Sequence, residues 1–122
     1  MSQTYLLDKV LQRKSIERER LRLASIEKAK KILKEMSKSI GFEKVYLFGT
    51  ITKPYRFSEE SDIDIAFVGL KDEDFFSALA YLSRNLGRDV DILQLEKHRL
   101  REKIIKEGIV WTRQDFQSLN PK

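Results

Sequence analysis

The chain divides at Gly41 into two patterns of apolar and polar positions. Before it lies a long stretch without proline or glycine, rich in strong helix formers, which predicts a helix over about Thr4–Ser39. Within that stretch Ile26, Ala29, Leu33, Met36 and Ile40 recur at three and four positions, a stripe able to pack on a sheet. Leu6, Leu7, Val10 and Leu11 form a second apolar cluster, and Gln12–Arg20 between the two is nearly all polar. A break near Ser15 and a continuous helix projecting beyond the domain fit this pattern equally.

After Gly41 the runs shorten. Val45-Tyr46-Leu47-Phe48 reads as a strand ending at Gly49-Thr50, and Ile63, Ile65 and Phe67 alternate as one face of another. Asp72–Leu86 reads as a helix with Phe75, Phe76, Leu79 and Leu82 on its apolar face, Asp72 or Asp74 as cap, and Gly87 as terminator. Val90–Leu93 is a third strand, and a charged helix from about Lys97 to Glu107 is closed by Gly108 ahead of Val110-Trp111. Phe75, Phe76 and Trp111 are assigned to the core. Strands separated by helices predict an α/β domain, a small mixed sheet with packed helices. Residues 1–40 form a helix that packs on and extends from it, 41–116 form the core, and 117–122 read as a loose tail.

Length and composition narrow the setting. A chain of 122 residues, 41% hydrophobic, fits one compact domain. Cysteine is absent, so no disulfide framework exists, and the chain lacks an apolar signal core or a membrane-length run. A soluble cytoplasmic protein with no membrane partner is the expectation. The net charge of +5 is concentrated in the first forty residues, which invites a nucleic-acid reading. Glutamates interleave with the arginines, however, and no aromatic residues stand among the basic ones to stack bases, so a solvated helix face is preferred. The cluster around Leu6–Leu11 would need a cover if the helix projects. It is therefore a candidate surface for dimerisation or for docking a second protein.

Three aspartates carry the chemistry. Asp62 and Asp64, in Ser61-Asp62-Ile63-Asp64-Ile65, share one face of a strand, opposite Ile63, Ile65 and Phe67. Asp91 lies in Val90-Asp91-Ile92-Leu93. An Asp-x-Asp alone is often an exposed polar face, but aspartate is disfavoured inside Val/Ile-rich strands, and its recurrence there asks for compensation. If Asp91 stands on a neighbouring strand at the same height, three negative charges converge and a divalent cation is the natural counter-charge. Upstream, Gly49 directly after a strand allows an anion close to the backbone, the Thr50 hydroxyl and free N–H groups of a following turn can bind phosphate oxygens, and Lys53 adds positive charge.

Together Leu47-Phe48-Gly49-Thr50, Ser61-Asp62-Ile63-Asp64-Ile65-Ala66-Phe67, Val90-Asp91-Ile92-Leu93 and Ile104-Ile105-Lys106-Glu107-Gly108-Ile109-Val110-Trp111 resemble the signature of the DNA polymerase β superfamily, most closely its minimal nucleotidyltransferase (MNT) group. The resemblance spans roughly Phe42–Trp111. It implies that Gly49 and Thr50 hold the β- and γ-phosphates of a nucleoside triphosphate, that Asp62 and Asp64 bind two Mg²⁺ ions, and that Asp91 completes one metal site and helps activate the attacking hydroxyl. It further implies ATP as substrate and a HEPN-domain toxin as partner, with AMP transferred to a tyrosine of that toxin, this chain being the antitoxin.

Thr50 stands where the pattern has serine, and a second glycine usual in the loop is replaced near Pro54. Proline disfavours a helical residue before it, so Lys53 is expected to be extended and the turn after Thr50 short. Two alternatives follow: an antitoxin that neutralises its partner by binding alone, and a nucleotidyltransferase acting on a small hydroxylated molecule. Tyr55 and Phe57, between Thr50 and Asp62, are candidates to flank a nucleotide or simply to pack. His98 has no orienting partner nearby and carries no expected chemistry.

Overall fold

The computed structural model describes residues 2–117, with side chains from Thr4 onward. The elements are α1 (Ser2–Met36), β1 (Lys44–Phe48), a 3₁₀ turn (Gly49–Thr52), β2 (Ile63–Val68), α2 (Phe75–Leu86), β3 (Val90–Gln94), α3 (Arg101–Glu107), β4 (Ile109–Thr112) and α4 (Arg113–Gln117). The strands form one mixed sheet in the order β3-β2-β1-β4. β1 pairs antiparallel with β2 and β4, while β2 and β3 run parallel. The parallel pair follows from α2, the crossover that returns the chain to the same end of the sheet.

Alternation along the strands gives the sheet two apolar faces. Val45, Leu47, Ile63, Ile65, Phe67, Val90 and Trp111 face α1 and α2, whose Ala29, Leu33 and Met36, and Ala78, Leu82 and Leu86, complete the larger core. On the other face Tyr46 and Ala66 meet Leu95 and Ile104, a smaller cluster under α3. The domain is thus three layers. The carboxylates belong to the smaller face, where the α3 layer stops short.

α1 is continuous through Ser15, which resolves the two readings of its polar middle. No residue there removes a helix hydrogen bond, and charged side chains tolerate solvent on all sides. Only its second half joins the core; Tyr5, Leu6, Leu7, Val10 and Leu11 are exposed. The helix ends at Met36 rather than Ser39. Ser37 Oγ donates to Lys34 O at 2.6 Å, and Ile40 N–H returns to Met36 O. At the far end Gln117 closes α4, and the remainder of the expected tail lies outside the described residues.

Three further local expectations are corrected, and one open choice is decided. Phe76 is 77% exposed instead of core, because the buried stripe of α2 is Ala78–Leu82–Leu86 and Phe76 stands about 200° round the helix from Ala78. Neither aspartate caps α2: a 3₁₀ turn over Asp72–Asp74 precedes it, Asp74 makes no capping bond, and Asp72 instead accepts from Gln94 Nε2 at 2.7 Å. The helix expected from Lys97 begins at Arg101, after a 3₁₀ turn over Leu95–Lys97. Phe57 is wholly buried in the main core with the Arg88 guanidinium 4.7 Å above its ring, so only Tyr55 of that pair faces solvent. Gly87, by contrast, ends α2 as expected, with a left-handed φ of 66°.

Candidate active site

Strand register brings the key carboxylates together. Asp64 on β2 pairs with Asp91 on β3 across the parallel ladder and with Phe48, the last residue of β1, across the antiparallel one. The condition that Asp91 sit at the height of Asp64 is met. Asp62 lies just before β2 and is exposed, whereas Asp64 is half-buried.

The Asp64 carboxyl is pushed up to about 6, first by burial, then by the negative charges of Asp91 and Asp62, and last by its contact with the Asp91 side chain. That contact becomes a hydrogen bond only when one of the two carboxyls carries a proton. At neutral pH the group is therefore an ionised carboxylate under electrostatic pressure, a setting that a cation relieves. Among the described residues no three acidic, histidine or cysteine side chains are gathered tightly enough as they stand to chelate an ion. Asp62, exposed on the approach to β2, is near enough for its charge to act on Asp64. The donor chemistry fits a hard cation: all three are carboxylates, and magnesium takes few protein oxygens while keeping waters and substrate phosphates as its other ligands.

The turn after β1 is built against this pair. Gly49 has φ +79°, and a Cβ there would collide with Asp64 Oδ2. Glycine thus serves twice, by adopting the left-handed turn and by letting the carboxylate lie against the backbone. Thr52 Oγ1 donates to Gly49 O at 2.7 Å and Lys53 N–H to Thr50 O at 2.9 Å, which close a single 3₁₀ turn. Lys53 is extended (φ −107°, ψ 116°), as the following Pro54 requires. No described residue bonds the Thr50 hydroxyl. Beside the turn lies a cavity of about 110 Å³, walled by Phe48, Gly49, Thr52 and Lys53 on one side and by Leu100, Lys103, Ile104 and Glu107 of the α3 region on the other. Two lysines therefore flank the space next to Gly49. His98 is occupied locally, its Nδ1 accepting from Leu100 N–H at 3.1 Å.

Several supporting residues were not anticipated from sequence. Arg22 of α1 donates to Ile51 O at 3.0 Å, and its Nε and Nη2 donate to Glu19. Glu19 Oε1 in turn accepts the N–H of Tyr55, a residue with φ +68°, at 2.8 Å. The Glu19 carboxyl is held below its ordinary range by the Arg22 bond and then by the Tyr55 N–H. On the other side Arg88 donates to Ser58 O and Ser61 O. The segment between Gly49 and Asp62 is thus tied down at both ends by arginines from α1 and from the approach to β3. Arg22 was detectable in principle: it stands four residues before Ile26, a charge at a core-facing position of an amphipathic helix. Arg88 and Lys103 left no such signal.

Known proteins place the chain in a class. The sequence profile of the family described as "Polymerase beta, Nucleotidyltransferase" matches residues 27–117. The chain therefore belongs to the polymerase β nucleotidyltransferase family, and it is a nucleotidyltransferase. Among solved structures it is similar to a toxin–antitoxin determined with AMP-PNP, at 27% identity and a TM-score of 0.56, with 74% of this chain and 76% of that one covered. A variant of the MntA-HpeT toxin–antitoxin with two aspartates changed to glutamate matches with the same identity and score over 71% and 75%. A candidate nucleotidyltransferase of Sulfolobus solfataricus matches at 28% identity and a TM-score of 0.50 over 83% and 89%. No curated protein matches. No helix among the described residues is long and apolar enough to cross a membrane.

Proposed function

We propose that this chain is a Mg²⁺-dependent nucleotidyltransferase that moves AMP from ATP to a tyrosine hydroxyl of a HEPN-domain toxin, and so acts as that toxin's antitoxin. The observation that carries the reading is the row formed by Gly49, Asp64 and Asp91, a phosphate-accepting turn pressed against two paired carboxylates at one end of the sheet. Its similarity to toxin–antitoxin structures, one with AMP-PNP, supports both the nucleotide and the partner.

Gly49, Thr50 and Lys53 are assigned to the β- and γ-phosphates, with the Thr50 hydroxyl as a donor. Asp62, Asp64 and Asp91 would hold two Mg²⁺ ions, which would supply charge neutralisation at the entering and leaving oxygens. Asp91, on β3, faces the acceptor and orients its hydroxyl. The acceptor oxygen forms the new bond to the α-phosphorus, its proton passes toward Asp91, and the bond to the β-phosphate oxygen breaks to release pyrophosphate. The half-burial of Asp64 strengthens each of these interactions relative to open water.

The short turn and extended Lys53 favour one rival, an antitoxin that binds without catalysis. Transfer of radiolabelled AMP from ATP and Mg²⁺ to the HEPN-domain partner separates the two. Label that disappears in Asp62→Asn/Asp64→Asn supports transfer, whereas neutralisation by both forms without label supports binding alone; label on a small hydroxylated compound without the partner would point to the third reading. Self-association through the exposed front of α1 is a separate proposal. Removing residues 1–15 is expected to lower the sedimenting mass while sparing the fold, and unchanged mass would sink it.

A further inference from the structure

We propose that the outer flank of α2, running from Phe76 through Leu79 to Ser83, docks an extended polypeptide segment that delivers the acceptor hydroxyl to Asp62 and Asp91. This inference deepens the transferase reading and rests on it for the identity of the delivered group. Phe76 stands outside the core, 77% exposed, with its ring edge-to-face against Phe75. Leu79 and Ser83 follow at three and seven residues, so all three share one flank of the helix. Leu79 and Ser83 of that flank also line a groove of about 580 Å³, whose other walls are Arg88, Asp89 and Val90 together with the carboxylates Asp62 and Asp91.

Reaction geometry assigns the groove to the acceptor. In an in-line displacement the entering and leaving oxygens lie on opposite sides of phosphorus. The cavity beside Gly49, Lys53 and Lys103 is on the β1 side of Asp64, and the groove is on the β3 side. With pyrophosphate leaving over β1, the attacking oxygen enters over β3.

Two features select a polypeptide. β3 is the outer strand of the sheet, so one row of its backbone N–H and C=O groups has no strand partner and matches an extended chain. Phe76 and Ser83 are separated by two turns of helix, about 10 Å. An extended segment spans that with about three residues, placing an apolar side chain on Phe76 and a hydroxyl-bearing one at the carboxylates. A small hydroxylated molecule held at Asp62 and Asp91 does not reach Phe76.

The test compares wild type, Phe76→Ala and Phe76→Glu in transfer of labelled AMP to the purified HEPN-domain partner, alongside a full chain carrying photoreactive p-benzoylphenylalanine at position 76. The expected result is a KM for the partner raised about tenfold or more in Phe76→Glu, with kcat, KM for ATP and melting temperature unchanged, and a photo-crosslink into the partner. An unchanged KM overturns the inference, as does a crosslink found only between two copies of this chain. Should wild type and Asp64→Asn both transfer nothing, the transferase reading fails. The crosslink then still decides the docking surface, since its presence on the partner supports it and its absence refutes it.

Discussion

Replacing Asp64 by Asn is expected to stabilise the metal-free protein at neutral pH while abolishing transfer. Burial and the charges of Asp91 and Asp62 raise the Asp64 carboxyl from 3.8 to about 6. A rise of that size, undamped by solvent, corresponds to roughly 3 kcal/mol of destabilisation of the ionised folded state. The group is only half-buried, so solvent screening reduces this to about 1–2 kcal/mol. The sign follows from linkage. Between the unfolded and folded pKa values the folded protein binds the extra proton, so stability falls as pH rises from about 4 to about 6 and is lower by the full amount above. Asn keeps the shape of the side chain and removes the charge. Thermal melts in EDTA should therefore place Asp64→Asn about 5 °C above wild type at pH 7.5 and level with it near pH 4. Mg²⁺ should raise the wild-type melting temperature and leave the variant unmoved, since a ligand stabilises only the form that binds it. A variant no more stable than wild type at pH 7.5, or a difference independent of pH, would refute the electrostatic account.

Gly49→Ala should cost about 2–3 kcal/mol in denaturant midpoint and eliminate transfer, because its Cβ meets Asp64 Oδ2 at a left-handed φ. Arg22→Ala frees Ile51 O and unlocks Glu19 from Arg22, so KM for ATP should rise several-fold with little change in kcat; equal losses in the two would refute a positioning role. Lys53→Ala and Lys103→Ala should each weaken ATP more than AMP, measured by equilibrium binding, since only the triphosphate extends into the cavity they flank. Leu33→Ala, wholly buried where α1 crosses the sheet, should destabilise by about 2–5 kcal/mol on chemical denaturation.

Much of the candidate site was legible because its residues contradict their surroundings. Aspartates inside Val/Ile-rich strands and a glycine at a strand end stand out from local rules, and Pro54 correctly foretold the extended Lys53. The phase of α2 was not legible to the same degree. Phe75 and Phe76 are adjacent and equally apolar, and only the packing of Ala78, Leu82 and Leu86 against α1 and β3 determines which one turns inward. Phe57 was ambiguous for a related reason: a loop aromatic has no periodicity, and its burial depends on Arg88 closing over it from thirty-one positions along the chain.

By itself, then, the sequence determined that the stretch before Gly41 is helical, the face on which each strand residue lies, and which aspartates and glycine depart from their local pattern, because these follow from spacing and backbone preference within a few residues. Tertiary structure alone decided that Asp64 stands opposite Asp91 and against Gly49, that Glu19, Arg22 and Arg88 hold the loop between, and that Phe76 is left in solvent. Those outcomes depend on strand register and helix packing between residues far apart in the chain. Such contacts are selected by the free energy of the whole core, which no local pattern encodes.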